Sequence, residues 1–145
     1  MRLTLGSDSI TLNGVHEIKS SMFQLGGATL DVGGTGSDHF SGSNGTYTMA
    51  GNGGSDHFDF TGLGSAKFTG GTGADVFDYH AGPGNVTVTD FKDGVDHISL
   101  GTLSFSSPHI ADSAAGAVIT SPGETGSMTL TGITAHQLTH SDFII

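Results

Sequence analysis

The large apolar residues in the middle of the chain recur like beads on a string. Phe40, Met49, Phe58, Phe68 and Phe77 are nine or ten residues apart, separated mostly by small and polar residues, chiefly Gly, Ser, Thr and Asp. That interval fits neither an amphipathic helix nor a simple alternating strand. It fits a turn plus a short strand, repeated, with one side chain per unit pointing inward. Two units complete one coil, and units of the same parity stack as parallel strands about 4.8 Å apart. The expectation is an all-β parallel roll, a solenoid of nonapeptide repeats.

The units themselves can be aligned. GGTGSDHFS (33–41), GNGGSDHFD (51–59) and GGTGADVFD (70–78) share Gly at positions one and four, Asp at six and Phe at eight. Between them lie weaker units, GSNGTYTMA (42–50) and FTGLGSAKFT (60–69), in which Tyr47 and Ala66 stand where Asp would be. Upstream, residues 1–32 read as degenerate coils or an N-terminal cap. Downstream, 79–145 read as a C-terminal cap, needed because an open solenoid end is an aggregation edge. Within it, AVIT and SMTLTG flank SPGETG (121–126), a β-hairpin whose turn holds Pro122 and Gly123. The last segment, ITAHQLTHSDFII, fits one helical turn before a final apolar strand. All 145 residues are thus expected to form one domain.

Composition narrows the picture. The 25 glycines are more than twice the usual share of about 7%. They weigh against a helical bundle, since each costs a helix interior about 1 kcal/mol. Fourteen acidic residues face four basic ones, for a formal net charge of −10 with histidine neutral, and twelve of the acids are Asp. Such a surface repels nucleic acid. The absence of cysteine excludes disulfides, thiolate zinc sites and thiol nucleophiles. The opening MRLTLGSDSI lacks the apolar run of a secretory signal peptide, and no stretch of the sequence approaches a membrane span. No nucleophile elbow of the G-x-S-x-G kind is present, and the chain is not expected to be an enzyme.

The repeat has a chemical logic. Glycine can aim several carbonyl oxygens at one point, and the Asp adds a hard anionic oxygen beside them. A donor set of oxygens alone suits Ca²⁺, which takes 6–8 of them. Three Asp-bearing turns make two gaps, hence about two ions on one side of the roll, with Asp56 bordering both. Tyr47 and Ala66 remove the carboxylates from the other side. His39 and His57, at equivalent positions, are read as outward-facing neighbours of the Asp rather than as zinc ligands.

On these residues the chain resembles the repeats-in-toxin (RTX) family of hemolysin-type calcium-binding repeats, as in the C-terminal β-roll of serralysin-like proteases. VTVTDFKDGVDHISL also looks like the segment following the last such repeat, and LTHSDFII like the family's ending. The resemblance implies a calcium-bound β-roll, an extracellular location and type I secretion. It implies coordination by Gly33, Gly34, Thr35, Gly36 and Asp38; by Gly51, Asn52, Gly53, Gly54 and Asp56; and by Gly70, Gly71, Thr72, Gly73 and Asp75. Asn52 departs from the second Gly but keeps a carbonyl and tolerates a left-handed backbone. Asp90, Asp93 and Asp96 are candidates for a third ion, although their spacing leaves the nine-residue rule. Asp142, Phe143, Ile144 and Ile145 resemble the family's uncleaved secretion signal. The expected partners are calcium ions and the type I secretion apparatus.

Two other readings stand beside this one. Family members often carry such rolls behind catalytic domains, so the chain could be the accessory module of a secreted metalloprotease, lipase or polysaccharide epimerase. The start at Met1 favours a free-standing protein. An adhesin or ice-binding roll would need a repeating exposed row of Thr or aromatics, and the Thr positions do not recur from unit to unit.

Overall fold

The computed structural model describes residues 2–5, 8–11, 24–25, 27–104 and 108–145, with side chains from residue 27 onward. The expected register of residues 12–23 lies outside the described residues. Near the N-terminus, β1 (Arg2–Leu5) and β2 (Asp8–Thr11) form an antiparallel ribbon of their own.

A parallel roll follows, as the repeat predicts. Strands β5 (His39–Gly53) and β6 (His57–Thr72) each run through two units, with their pairing register shifting between Ser43 and Gly45. Their first arms stack with β7 (Val76–Asp78), β9 (His97–Ser99) and β13 (Phe143–Ile144). Their second arms stack with β4 (Ala28–Val32) on one side and β8 (Asn85–Val88) on the other. A short β3 (Gln24–Leu25) pairs antiparallel with β4.

Register turns the spaced apolar residues into two columns. Phe40, Phe58, Phe77, Ile98 and Phe143 are in register through one sheet. Met49, Phe68, Val88, Leu130 and Ala117 are in register through the other, all of them buried. Phe40 and Phe58 stack at 4.8 Å between centroids, and Phe58 and Phe77 at 5.1 Å. Those separations match the strand spacing of about 4.8 Å, so each ring covers the one in the coil before it. The two columns meet between the sheets, where Phe58 and Phe68 are 5.2 Å apart.

The C-terminal cap contains the expected hairpin: β11 (Gly116–Thr120) pairs antiparallel with β12 (Ser127–Thr131), and β10 (His109–Asp112) extends it. Strand β12 lies parallel on β8, so the hairpin arm occupies the place of a further coil. The helical turn near the end is a 3₁₀ turn at His140–Asp142, leading into β13.

Candidate metal centre

The glycine turns stack in register along one edge of the roll. A methyl group built on Gly54 would fall 2.6 Å from the Gly36 carbonyl oxygen, and one on Gly73 would collide with the Gly54 carbonyl. Such close approach leaves no room for a side chain at position four of the second and third units, whereas a methyl on Gly36 in the first would meet nothing within 4 Å. Asn52 (φ 71°) adopts the left-handed backbone expected of it, like Gly71 (φ 99°) in the next coil. Asn52 also does more than keep a carbonyl: its Nδ2 donates to the Gly33 carbonyl oxygen at 2.9 Å, tying two coils together. Thr35 and Thr72 are exposed at position three, and the Thr72 hydroxyl donates to the Asn52 carbonyl at 3.4 Å.

Beneath the turns runs a ladder of aspartates. The Asp38 amide donates to Oδ1 of Asp56 (2.8 Å), the Asp56 amide to Oδ1 of Asp75 (2.9 Å), and the Asp75 amide to Oδ1 of Asp96 (3.0 Å). In return, the carbonyls of Asp38, Asp56 and Asp75 accept the amides of His57, Val76 and His97. The carboxylates of Asp56, Asp75 and Asp96 therefore each have one oxygen fixed by the preceding coil. In Asp38, Asp56 and Asp75 the Oδ2 oxygen is aimed at the turn, where methyl groups built on Gly33, Gly51 and Gly70 respectively would strike it. The same methyls on Gly33 and Gly51 would lie 2.9 Å and 2.7 Å from the carbonyl oxygens of Gly51 and Gly70. A carboxylate of one coil and a carbonyl of the next thus converge on each cradle.

Asp38 Oδ2 accepts the Gly34 amide at 2.8 Å, but the corresponding oxygens of the next two coils lack donors. Asp56 and Asp75 are each only 1% exposed, and Oδ2 of both is buried without a hydrogen-bond partner. Burial pushes both carboxyls above their ordinary value, and repulsion from Asp38 on Asp56, and from Asp96, Asp56 and Asp90 on Asp75, pushes the same way. Burial likewise raises Asp96, with Asp90 adding to it, against hydrogen bonds from the Asp75 and Lys92 amides. Buried anionic oxygens without donors are costly, and a hard cation is the partner that satisfies them. An all-oxygen set of carboxylates and carbonyls fits Ca²⁺. The residues that would hold it are Asp38, Asp56 and Asp75 with the Gly51 and Gly70 carbonyls.

The three further acidic candidates separate. Asp96 is buried and continues the ladder, its Oδ2 accepting the Lys92 amide at 2.8 Å. Asp90 sits on the turn and accepts the Gly70 and Gly71 amides at 2.9 and 2.8 Å. Asp93 is exposed. The first turn also differs from the others, since neither Gly34 nor Gly36 adopts a positive φ whereas Gly54, Gly71 and Gly73 do.

The opposite edge of the roll is packed with aromatics instead. Tyr47 tilts onto Phe60 at 5.7 Å and donates its hydroxyl to the Ser43 carbonyl, while Phe60 and Tyr79 are buried. Phe60 and Tyr79 fall outside the nine-residue pattern. Their signal in the sequence is a second apolar residue two positions after Phe58 and Phe77.

In the tail, Asp142 is buried and accepts the Thr139 amide (2.7 Å), the Thr139 hydroxyl (2.9 Å) and the Gly94 amide (3.2 Å). Phe143 is buried under Ile98, whereas Ile144 and Ile145 are 43% and 66% exposed. Among the described residues no helix is long and apolar enough to cross a membrane.

No family model and no curated protein matches the sequence. Among solved structures, the chain is similar to the solution structure of the AlgE6R3 subunit from the Azotobacter vinelandii mannuronan C5-epimerase, with 22% identity and a TM-score of 0.46, covering 77% of this chain and 80% of that one.

Proposed function

We propose that the chain is a secreted calcium-binding β-roll of the RTX type, a binding module without a catalytic step, which folds when it meets Ca²⁺ outside the cell. The observation that carries this reading is the pair of buried, donorless Oδ2 atoms on Asp56 and Asp75, stacked one coil apart. Bound Ca²⁺ supplies the positive charge these carboxylates lack. Without it, repulsion along Asp38, Asp56, Asp75 and Asp96 opposes closure of the glycine turns, and the chain stays open enough to be exported. At the millimolar calcium outside cells, an affinity of about 10⁻⁴–10⁻³ M suffices. Each independent site at ten times its Kd then adds about 1.4 kcal/mol to folding.

Export is assigned to a type I secretion apparatus, with Asp142, Phe143, Ile144 and Ile145 as the signal. The exposure of Ile144 and Ile145 supports this assignment. The test of the calcium reading is calorimetric titration with Ca²⁺ while circular dichroism is followed. The expected result is about two to three ions per chain, taken up together with β structure. An equally ordered chain in excess chelator overturns it.

A further inference from the structure

We infer that the outer face of the first sheet carries a second metal site, built from Asp59, Asp78 and His80, with His57 orienting Asp78 beside it, suited to a zinc-class ion rather than to calcium. His57 Nε2 lies 2.8 Å from Asp78 Oδ2, and His80 Nε2 lies 2.7 Å from Asp59 Oδ1. Asp59, Asp78 and His80 bring one ligand atom each to within 4.8 Å of one another. None of these residues belongs to the glycine turns. They come together because Phe58 and Phe77 are in register, which sets the residue after each of them side by side on adjacent parallel strands.

Three features favour a metal over a simple pair of ion contacts. First, among the described residues no lysine or arginine pairs with either carboxylate, so imidazole is the only counter-group recorded for two stacked acids. Second, the donor set joins an imidazole nitrogen to two carboxylate oxygens. Imidazole suits zinc, copper and nickel, whereas Ca²⁺ takes oxygen alone. Third, a tetrahedral ion with bonds of about 2.1 Å needs donors about 3.4 Å apart. The His80–Asp59 contact of 2.7 Å and the 4.8 Å bound on all three separations are compatible with that figure. The histidine side chains are 43% and 44% exposed and the aspartates 17% and 26%, leaving a path for the ion. His57 is further steadied by His39, stacked on it at 4.9 Å.

The inference needs a folded roll, however that fold is achieved. The full chain is therefore saturated with Ca²⁺, its β structure is checked by circular dichroism, and Zn²⁺ or Co²⁺ is titrated in. The expected result is about one equivalent bound with no release of calcium, and a tetrahedral Co²⁺ visible spectrum. His80→Ala, Asp59→Asn and Asp78→Asn each weaken binding at least about tenfold, whereas His109→Ala does not. Nitrogen NMR of the unsubstituted protein reads the same site without a variant, with zinc shifting Nε2 of His80. No zinc uptake by the folded chain overturns the inference. So does release of bound calcium on adding zinc, or full affinity in His80→Ala.

Discussion

Asp56 holds the amide of Asp38 on Oδ1 at 2.8 Å and keeps its Oδ2 buried with nothing to accept from. One carboxylate thus serves two purposes, with one oxygen joining adjacent coils and the other facing the turn. Substituting it separates the two. Asn at position 56 keeps an acceptor for the Asp38 amide and sets an N–H beside the Gly70 carbonyl, which shares the cradle at Gly51. Asp56→Asn is expected to stabilise the chain in chelator by about 1–3 kcal/mol while blunting its response to calcium. Thermal melts with and without Ca²⁺ check it, and a loss of stability in both conditions would contradict the reading.

Acidification should strengthen the metal-free roll. Asp56, Asp75 and Asp96 have folded values raised above 3.8, so between those values and 3.8 the folded chain binds more protons than the unfolded one. Stability in chelator then rises as pH falls through that window. Asp142 works the other way. Burial raises its value, but bonds from the Thr139 amide and hydroxyl, the Gly94 amide and Asp93 outweigh burial and leave it below 3.8. Its contribution is present above 3.8 and is lost as pH falls through the lower folded value. Melts across the acid range should therefore climb and then turn down. With calcium bound the climb should shrink, because protons and metal compete for Asp56 and Asp75.

Two glycines of the same motif should behave differently. Alanine at Gly51 strikes Asp56 Oδ2 and crowds the Gly70 carbonyl at 2.7 Å, so Gly51→Ala should cost about 1–3 kcal/mol and weaken calcium binding. Alanine at Gly34 meets nothing within 4 Å and needs no positive φ, so Gly34→Ala should stay within about 0.5 kcal/mol. Denaturant unfolding in saturating Ca²⁺ measures both. Equal losses would mean that the turns are not stacked as described.

The aromatic edge gives a calcium-independent contrast. Phe60 is 3% exposed, and Phe60→Ala should cost about 3–5 kcal/mol with or without Ca²⁺. A variant fully restored by added calcium would refute the division of the roll into a metal edge and an apolar edge.

Export is best tested away from the folded cap. Deleting the last four residues removes Asp142 and Phe143, which are buried in that cap, along with the signal. Serine at the exposed Ile144 and Ile145 leaves both in place. The double substitution should abolish secretion from a type I host while preserving calcium-induced folding, and unchanged secretion would remove the signal assignment.

Much of this was legible in the sequence because one geometric rule repeats. Position eight of each unit must fill the core, and Phe40, Phe58 and Phe77 declare it. Ladder positions follow the same rule at separations of 18 and 19, and then at 21 for Asp75 to Asp96. There the turn in which the Val95 and Asp96 amides both bond the Lys92 carbonyl absorbs the extra length, so counting alone left Asp90, Asp93 and Asp96 equivalent. Nor could spacing show that Asn52 clamps Gly33, or that His80 meets Asp59 across 21 residues. Those depend on side-chain direction, which a period does not encode.

Because β12 meets β8 as a parallel neighbour yet belongs to an antiparallel hairpin, that end of the stack carries a built-in terminator. Evolution or an engineer could duplicate a whole coil upstream, and the terminator would simply ride outward on the longer column. Length, and with it cation capacity, is in this architecture a dial independent of how the column is closed.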